Sequence, residues 1–116
     1  DLRGKRWQDV DLKTLRGCSN CFLTPPAFRY FLPAYLLVSI ESYDDADVIP
    51  ADILSALSPE SDSNSFQNQR LAEIVALLSP KQRGAIRSFV EFMRDEYSED
   101  FVGYNVDWSG LLDFYK

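Results

Sequence analysis

The stretch FLTPPAFRYFLPAYLLVSI, residues 22–40, decides how this chain is read. It carries one charge, Arg29, and its apolar positions fall on every side of a helical wheel. A helix that is apolar all round is wrapped by the rest of its domain. Thr24 before Pro25 is a helix start, because the hydroxyl accepts from an orphan N–H while proline at the first helical position lacks that donor anyway. Phe22 and Leu23 precede the cap and are placed to staple back onto Phe28. Pro33 lies inside the helix, removes the bond to the Arg29 carbonyl and crowds that turn. The expectation is a Pro-kinked apolar helix over about 25–43, or two helical pieces meeting near Leu32. A membrane span needs roughly 20 mostly apolar residues with no charge near the middle. Pro25, Pro26, Pro33, Arg29 and two tyrosines argue for a buried core helix and no membrane.

Outward from this segment, helix signals are strong and strand signals weak. Toward the N-terminus, Trp7 to Leu15 reads as a short helix with Asp9 as its cap and Gly17 as its end. Toward the C-terminus, Pro50 opens a short helix, with Asp52 to Leu57 following it and Ser58-Pro59 stopping it. Residues 58–65, SPESDSNS, are the most loop-like stretch. A helix from about Phe66 to Leu78 shows Leu71, Ile74, Val75 and Leu78 at the spacing of one buried face. Ser79, Pro80 and Gln82 form the pattern of a capping box. The helix it opens points Ile86, Phe89, Val90, Met93 and Tyr97 inward and Arg83, Arg87, Glu91 and Arg94 to water. Gly84 weakens it by up to ~1 kcal/mol relative to Ala, which would suit a close contact there. Asp107 caps a last helix from Trp108 to Tyr115. The fold class is all-α: a single compact domain, residues 1–116, of five to six helices around a central, Pro-kinked apolar helix. Residues 98–116 form an aromatic, acidic segment docked on it.

The 116 residues suffice for one domain with a real core, and 46% hydrophobic and 14% aromatic content is that of a globular protein. The first ten residues, DLRGKRWQDV, carry no signal-peptide pattern. With no initiating methionine, the chain is expected to be a trimmed piece whose native N-terminal segment is missing. Two thiols point to a reducing compartment, hence the cytoplasm.

Charge is segregated. Residues 41–65 hold Glu41, Asp44, Asp45, Asp47, Asp52, Glu60 and Asp62 with no Lys or Arg, and residues 95–113 hold six more acids, again without a base. Residues 66–94 are net basic. The net charge of −6 excludes nucleic acid as the expected partner, since phosphate calls for the opposite sign.

Residues 22–36, FLTPPAFRYFLPAYL, resemble the signature of a bacterial family of unknown function marked by an FLTPxAFRYFLPAYL-like segment. The similarity extends to Gly4-Lys5-Arg6-Trp7, to Leu78-Ser79-Pro80-Lys81-Gln82 and to Leu112-Asp113-Phe114-Tyr115, so it covers most of residues 4–116. The resemblance implies bacterial origin and a further N-terminal segment. It carries no activity.

Cys18-Ser19-Asn20-Cys21 has redox spacing, but a thioredoxin-type thiolate sits at a helix N-terminus after a strand. Here the helix starts later, at Thr24, and no parallel-sheet pattern precedes it. Two cysteines without any histidine cannot complete a four-ligand structural zinc site. The cysteines therefore read as incidental, with no metal and no cofactor expected. The lack of histidine also removes Ser/His and Cys/His nucleophilic schemes. Asp44, Asp45 and Asp47 are the densest acids, yet lack the glycine and distal glutamate of a calcium loop. Arg29 within the apolar helix must find a carboxylate such as Glu41, find carbonyls, or reach outward to water.

Two expectations follow. The first is a non-enzymatic bacterial binding protein, of an immunity or antitoxin-like kind, whose acidic surfaces at Asp44, Asp45, Asp47, Glu99 and Asp100 occlude a basic partner protein. The second is a small-molecule-binding or enzymatic domain with a pocket beside Pro33, lined by Arg29, Tyr30 and Tyr35. The oligomeric state is left open by the sequence.

Overall fold

A computed structural model describes residues 2, 4–17, 23–62 and 64–116. The Cys18–Cys21 motif and the Phe22 side of the staple lie outside these residues. The fold is all-α. Among the described residues there are six α-helices, two 3-10 segments and no strand. Contacts divide the chain into two units, residues 1–56 and residues 57–116.

The first unit begins with a 3-10 turn, Trp7–Asp9, followed by α1, Leu12–Arg16. The sequence suggested one helix here, capped by Asp9. Instead Val10 is extended, and the Asp11 carboxylate caps α1 by accepting from the Thr14 N–H at 2.8 Å. A cap residue is itself extended, and Asp11 is while Asp9 lies inside the 3-10 turn, so the second aspartate takes the role and the helix is split in two. Helix α2, Pro25–Glu41, starts at Thr24, whose hydroxyl accepts from the Ala27 N–H at 3.3 Å. It runs unbroken through Pro33. Arg29, whose carbonyl loses its usual donor, is exposed, so water can replace the missing N–H. Helix α3, Ile49–Ala56, packs against α2, as does the 3-10 turn.

Helix α2 departs from the wrapped helix expected of its composition. Phe28, Phe31, Leu32, Ala34, Tyr35 and Ser39 are buried, and the Ser39 hydroxyl donates back to the Tyr35 carbonyl at 2.8 Å. Arg29, Tyr30, Leu37 and Ile40 are exposed. An apolar wheel says only that burial is tolerated on every side. Which sides are covered depends on the partners available.

The second unit holds α4, Phe66–Ala76, α5, Pro80–Tyr97, a 3-10 helix, Ser98–Tyr104, and α6, Trp108–Phe114. Three successive side chains of α4 bind the loop before it. Gln67 donates to the Ser58 carbonyl, Asn68 donates to the Glu60 and Asp62 carbonyls and accepts from the Glu60 N–H, and Gln69 donates to the Asn64 carbonyl. The capping box of α5 is formed in both directions: Ser79 accepts from the Gln82 N–H at 3.1 Å, and Gln82 accepts from the Ser79 N–H at 2.8 Å. Ile86, Phe89, Val90 and Met93 are the buried row of α5, as their spacing requires. Helix α5 packs against α6 and the 3-10 helix.

Arg83 and Arg87 do not simply face water. Both are half-buried, and they donate to the Phe114 carbonyl at 3.2 Å and the Leu112 carbonyl at 3.4 Å. Those carbonyls are the orphan acceptors at the end of α6, where positive charge also complements the helix dipole. Arg87 keeps its expected partner Glu91 at 3.2 Å as well. No helix among the described residues is long and apolar enough to cross a membrane.

Candidate functional site

The turn after α2 presents Asp44, Asp45 and Asp47, all exposed. Backbone hydrogen bonds hold it at several points: Ser42 N–H to Val38, Asp45 and Ala46 N–H to Ser42, and Ile49 N–H to Ala46, at 2.8 to 3.1 Å. Ala46 is fully buried and pins the turn, so the aspartates on either side of it point to solvent. Asp47 adopts the left-handed region with φ of 59°, which aspartate tolerates better than most residues. The Asp47 charge also reaches Asp52, whose carboxyl is held above its ordinary value, first by partial desolvation and then by Asp47. Among the described residues, no group of three or more Cys, Asp or Glu is placed to hold a metal ion.

Glu99 and Asp100 lie in the second unit, exposed in the first turn of the 3-10 helix. Phe101 anchors that helix. It is buried, and its ring meets Tyr104 and Trp108 edge-on at centroid distances of 6.2 and 5.8 Å. Asn105 ends the helix in the left-handed region, and Asp107 then caps α6 by accepting from the Gly110 N–H at 3.0 Å. The order of roles along residues 98–107 is thus acid, anchor, exposed apolar tip, cap, with Val102 75% and Tyr104 59% exposed at the tip.

The aromatic tail docks through some of its rings only. Phe101 and Tyr115 are buried, Tyr97, Trp108 and Phe114 are half-buried, and Tyr104 is exposed. The buried Tyr115 hydroxyl donates to the Leu57 carbonyl at 2.5 Å. Burial pushes that phenol above its ordinary pKa, and the nearby Arg83 opposes this only in part. No sequence signal pairs residues 58 positions apart, and the arginine contacts to α6 are equally silent in the sequence.

The residues suggested for a pocket separate. Arg29 and Tyr30 are exposed on one side of α2, whereas Tyr35 is 1% exposed on the other. Five positions between Tyr30 and Tyr35 turn a helix by about 140° beyond a full turn, which puts the two rings on different faces. Arg29 forms no ion pair among the described residues, so of its three options it takes the outward reach to water.

The fold is all-α, and it presents exposed carboxylates at Asp44, Asp45 and Asp47 and at Glu99 and Asp100, with the exposed Val102 and Tyr104 beside the second group. The chain belongs to the Family of unknown function DUF6714, whose model matches residues 2–111. No curated protein and no solved structure matches the chain.

Proposed function

We propose that this is a non-enzymatic bacterial binding protein, cytoplasmic and of an immunity or antitoxin-like kind, that occludes a basic protein partner. The observation that carries the reading is the pinned turn of Asp44, Asp45 and Asp47: three exposed carboxylates around the buried Ala46 on a hydrogen-bonded turn, in a 25-residue stretch without a base. Fixed charges of one sign speed encounter with an oppositely charged partner and penalise wrong ones. A pre-ordered turn also loses little conformational entropy on binding. Glu99 and Asp100 extend the same chemistry to the second unit, next to the exposed Val102 and Tyr104 that could supply apolar contact.

The test starts with capture by the tagged chain, at low salt, from a lysate of the organism that encodes it. The expected outcome is one stoichiometric protein of basic isoelectric point, released as salt rises. Association of that purified partner with the Asp44→Lys, Asp45→Lys, Asp47→Lys triple variant should be slower by about tenfold or more at low ionic strength. The variant should keep its helical circular dichroism, because all three side chains are exposed, while lysine in the left-handed region at position 47 lowers stability by about 1 kcal/mol. Unchanged association kinetics across the triple variant would sink the reading.

A further inference from the structure

Helix α2 turns a second apolar row outward, opposite the one that builds the core. Tyr30, Pro33, Leu37 and Ile40 follow at steps of three, four and three residues along one side. Tyr30 is 46%, Leu37 43% and Ile40 38% exposed, and Pro33 is half-buried. Alternating steps of three and four keep a row in line along a helix and let a second helix lie against it. Scattered exposed apolar residues need no explanation, but a row in register does.

Charge along the row is polarised. Arg29 stands at its N-terminal end, while Glu41, Asp44 and Asp45 stand at and just beyond its C-terminal end, all exposed. The helix dipole has the same sense, positive at the N-terminus and negative at the C-terminus. A parallel copy of α2 would set acids against acids. An antiparallel copy sets the Arg29 end of each chain against the acidic end of the other, and a two-fold axis makes the match twice.

We propose that the outward row of α2 is the contact surface of a homodimer, in which α2 of a second copy lies antiparallel across Tyr30, Pro33, Leu37 and Ile40. This goes beyond the binding function above and does not depend on it. The acids at the C-terminal end outnumber the arginine they meet, so each end of the pair stays net negative and open to a basic partner. One helix face per chain falls short of the roughly 800 Å² per partner of a standard interface. The dimer is therefore weak, dissociating at about 10–100 µM.

Sedimentation equilibrium of the full chain, from about 5 µM to about 500 µM, tests this across the expected dissociation range. The expected result is a mass that climbs from one chain toward two. Leu37→Asp, and separately Ile40→Asp, should hold the mass at one chain throughout with unchanged circular dichroism. Arg29→Glu should raise the dissociation constant about three- to tenfold, since the contact occurs twice. Adding Asp44→Lys and Asp45→Lys to Arg29→Glu should restore it. A single-chain mass at every concentration, or a dimer that survives both apolar variants, overturns the proposal. A dimer lost in Leu37→Asp but indifferent to Arg29→Glu overturns the antiparallel arrangement.

Discussion

Asp11 and Asp52 are both carboxylates at the start of a helix, and their surroundings drive them in opposite directions. The Thr14 side chain and backbone N–H hydrogen-bond to Asp11, which lowers its pKa, while partial desolvation and then the Asp47 charge raise that of Asp52. The consequences for stability have opposite signs. The contribution of Asp11 is present above its unfolded value and lost as pH falls through its lower folded value. Asp52 binds its proton more tightly in the folded chain, so its ionisation costs stability as pH rises from the unfolded to the folded value. An NMR titration should therefore show Asp52 protonating before Asp11 as pH falls. Asp52→Asn should be slightly more stable than the parent at pH 7, within about 0.5 kcal/mol as for other surface changes, with the gain disappearing at pH 3. A parent that is the more stable of the two at pH 7 would contradict this. The sequence offered both aspartates and neither shift, because a shift depends on which backbone and which charge come near.

Helix α5 is the element on which local and tertiary information separate most clearly. Its start was legible, since Ser79, Pro80 and Gln82 act on one another within a single turn. So was its buried row, because 3.6-residue periodicity is a property of the chain itself. At Gly84 the sequence suggested a close contact, and the space around it does not bear this out. A Cβ built there meets nothing within 4 Å, so no close neighbour requires the glycine. Gly84→Ala should accordingly stabilise the protein by about 0.5–1 kcal/mol, read as a higher urea midpoint at unchanged m-value. A lower midpoint would mean that something packs against this turn after all. Arg83 and Arg87 show the opposite case. Their spacing put them on the polar side of α5, but long side chains can leave a helix face and cap another helix, so the α6 carbonyls they meet were not readable from α5.

At the scale of the whole molecule, the longest-range tie in the second unit is the Tyr115 hydroxyl on the Leu57 carbonyl, joining the unit's first residue to its penultimate one. Tyr115→Phe keeps the ring and its edge-on contact with Phe114 while removing the donor. It should cost about 1–3 kcal/mol in urea unfolding, the usual penalty when a buried polar partner is taken away. A loss within error would show that the ring alone holds the terminus. The same scale separates what each kind of information supplied. By itself the sequence determined the all-α class, the helix starts at Thr24, Ser79 and Asp107, the inward row of α5 and the outward charge of residues 44–47. These rest on interactions within one or two turns or on composition. Tertiary structure alone decided which face of α2 is covered and how Arg83, Arg87 and Tyr115 fasten the C-terminal helix. Such contacts join residues that only folding brings together, and an apolar helix with two usable faces does not itself say which one the chain will bury.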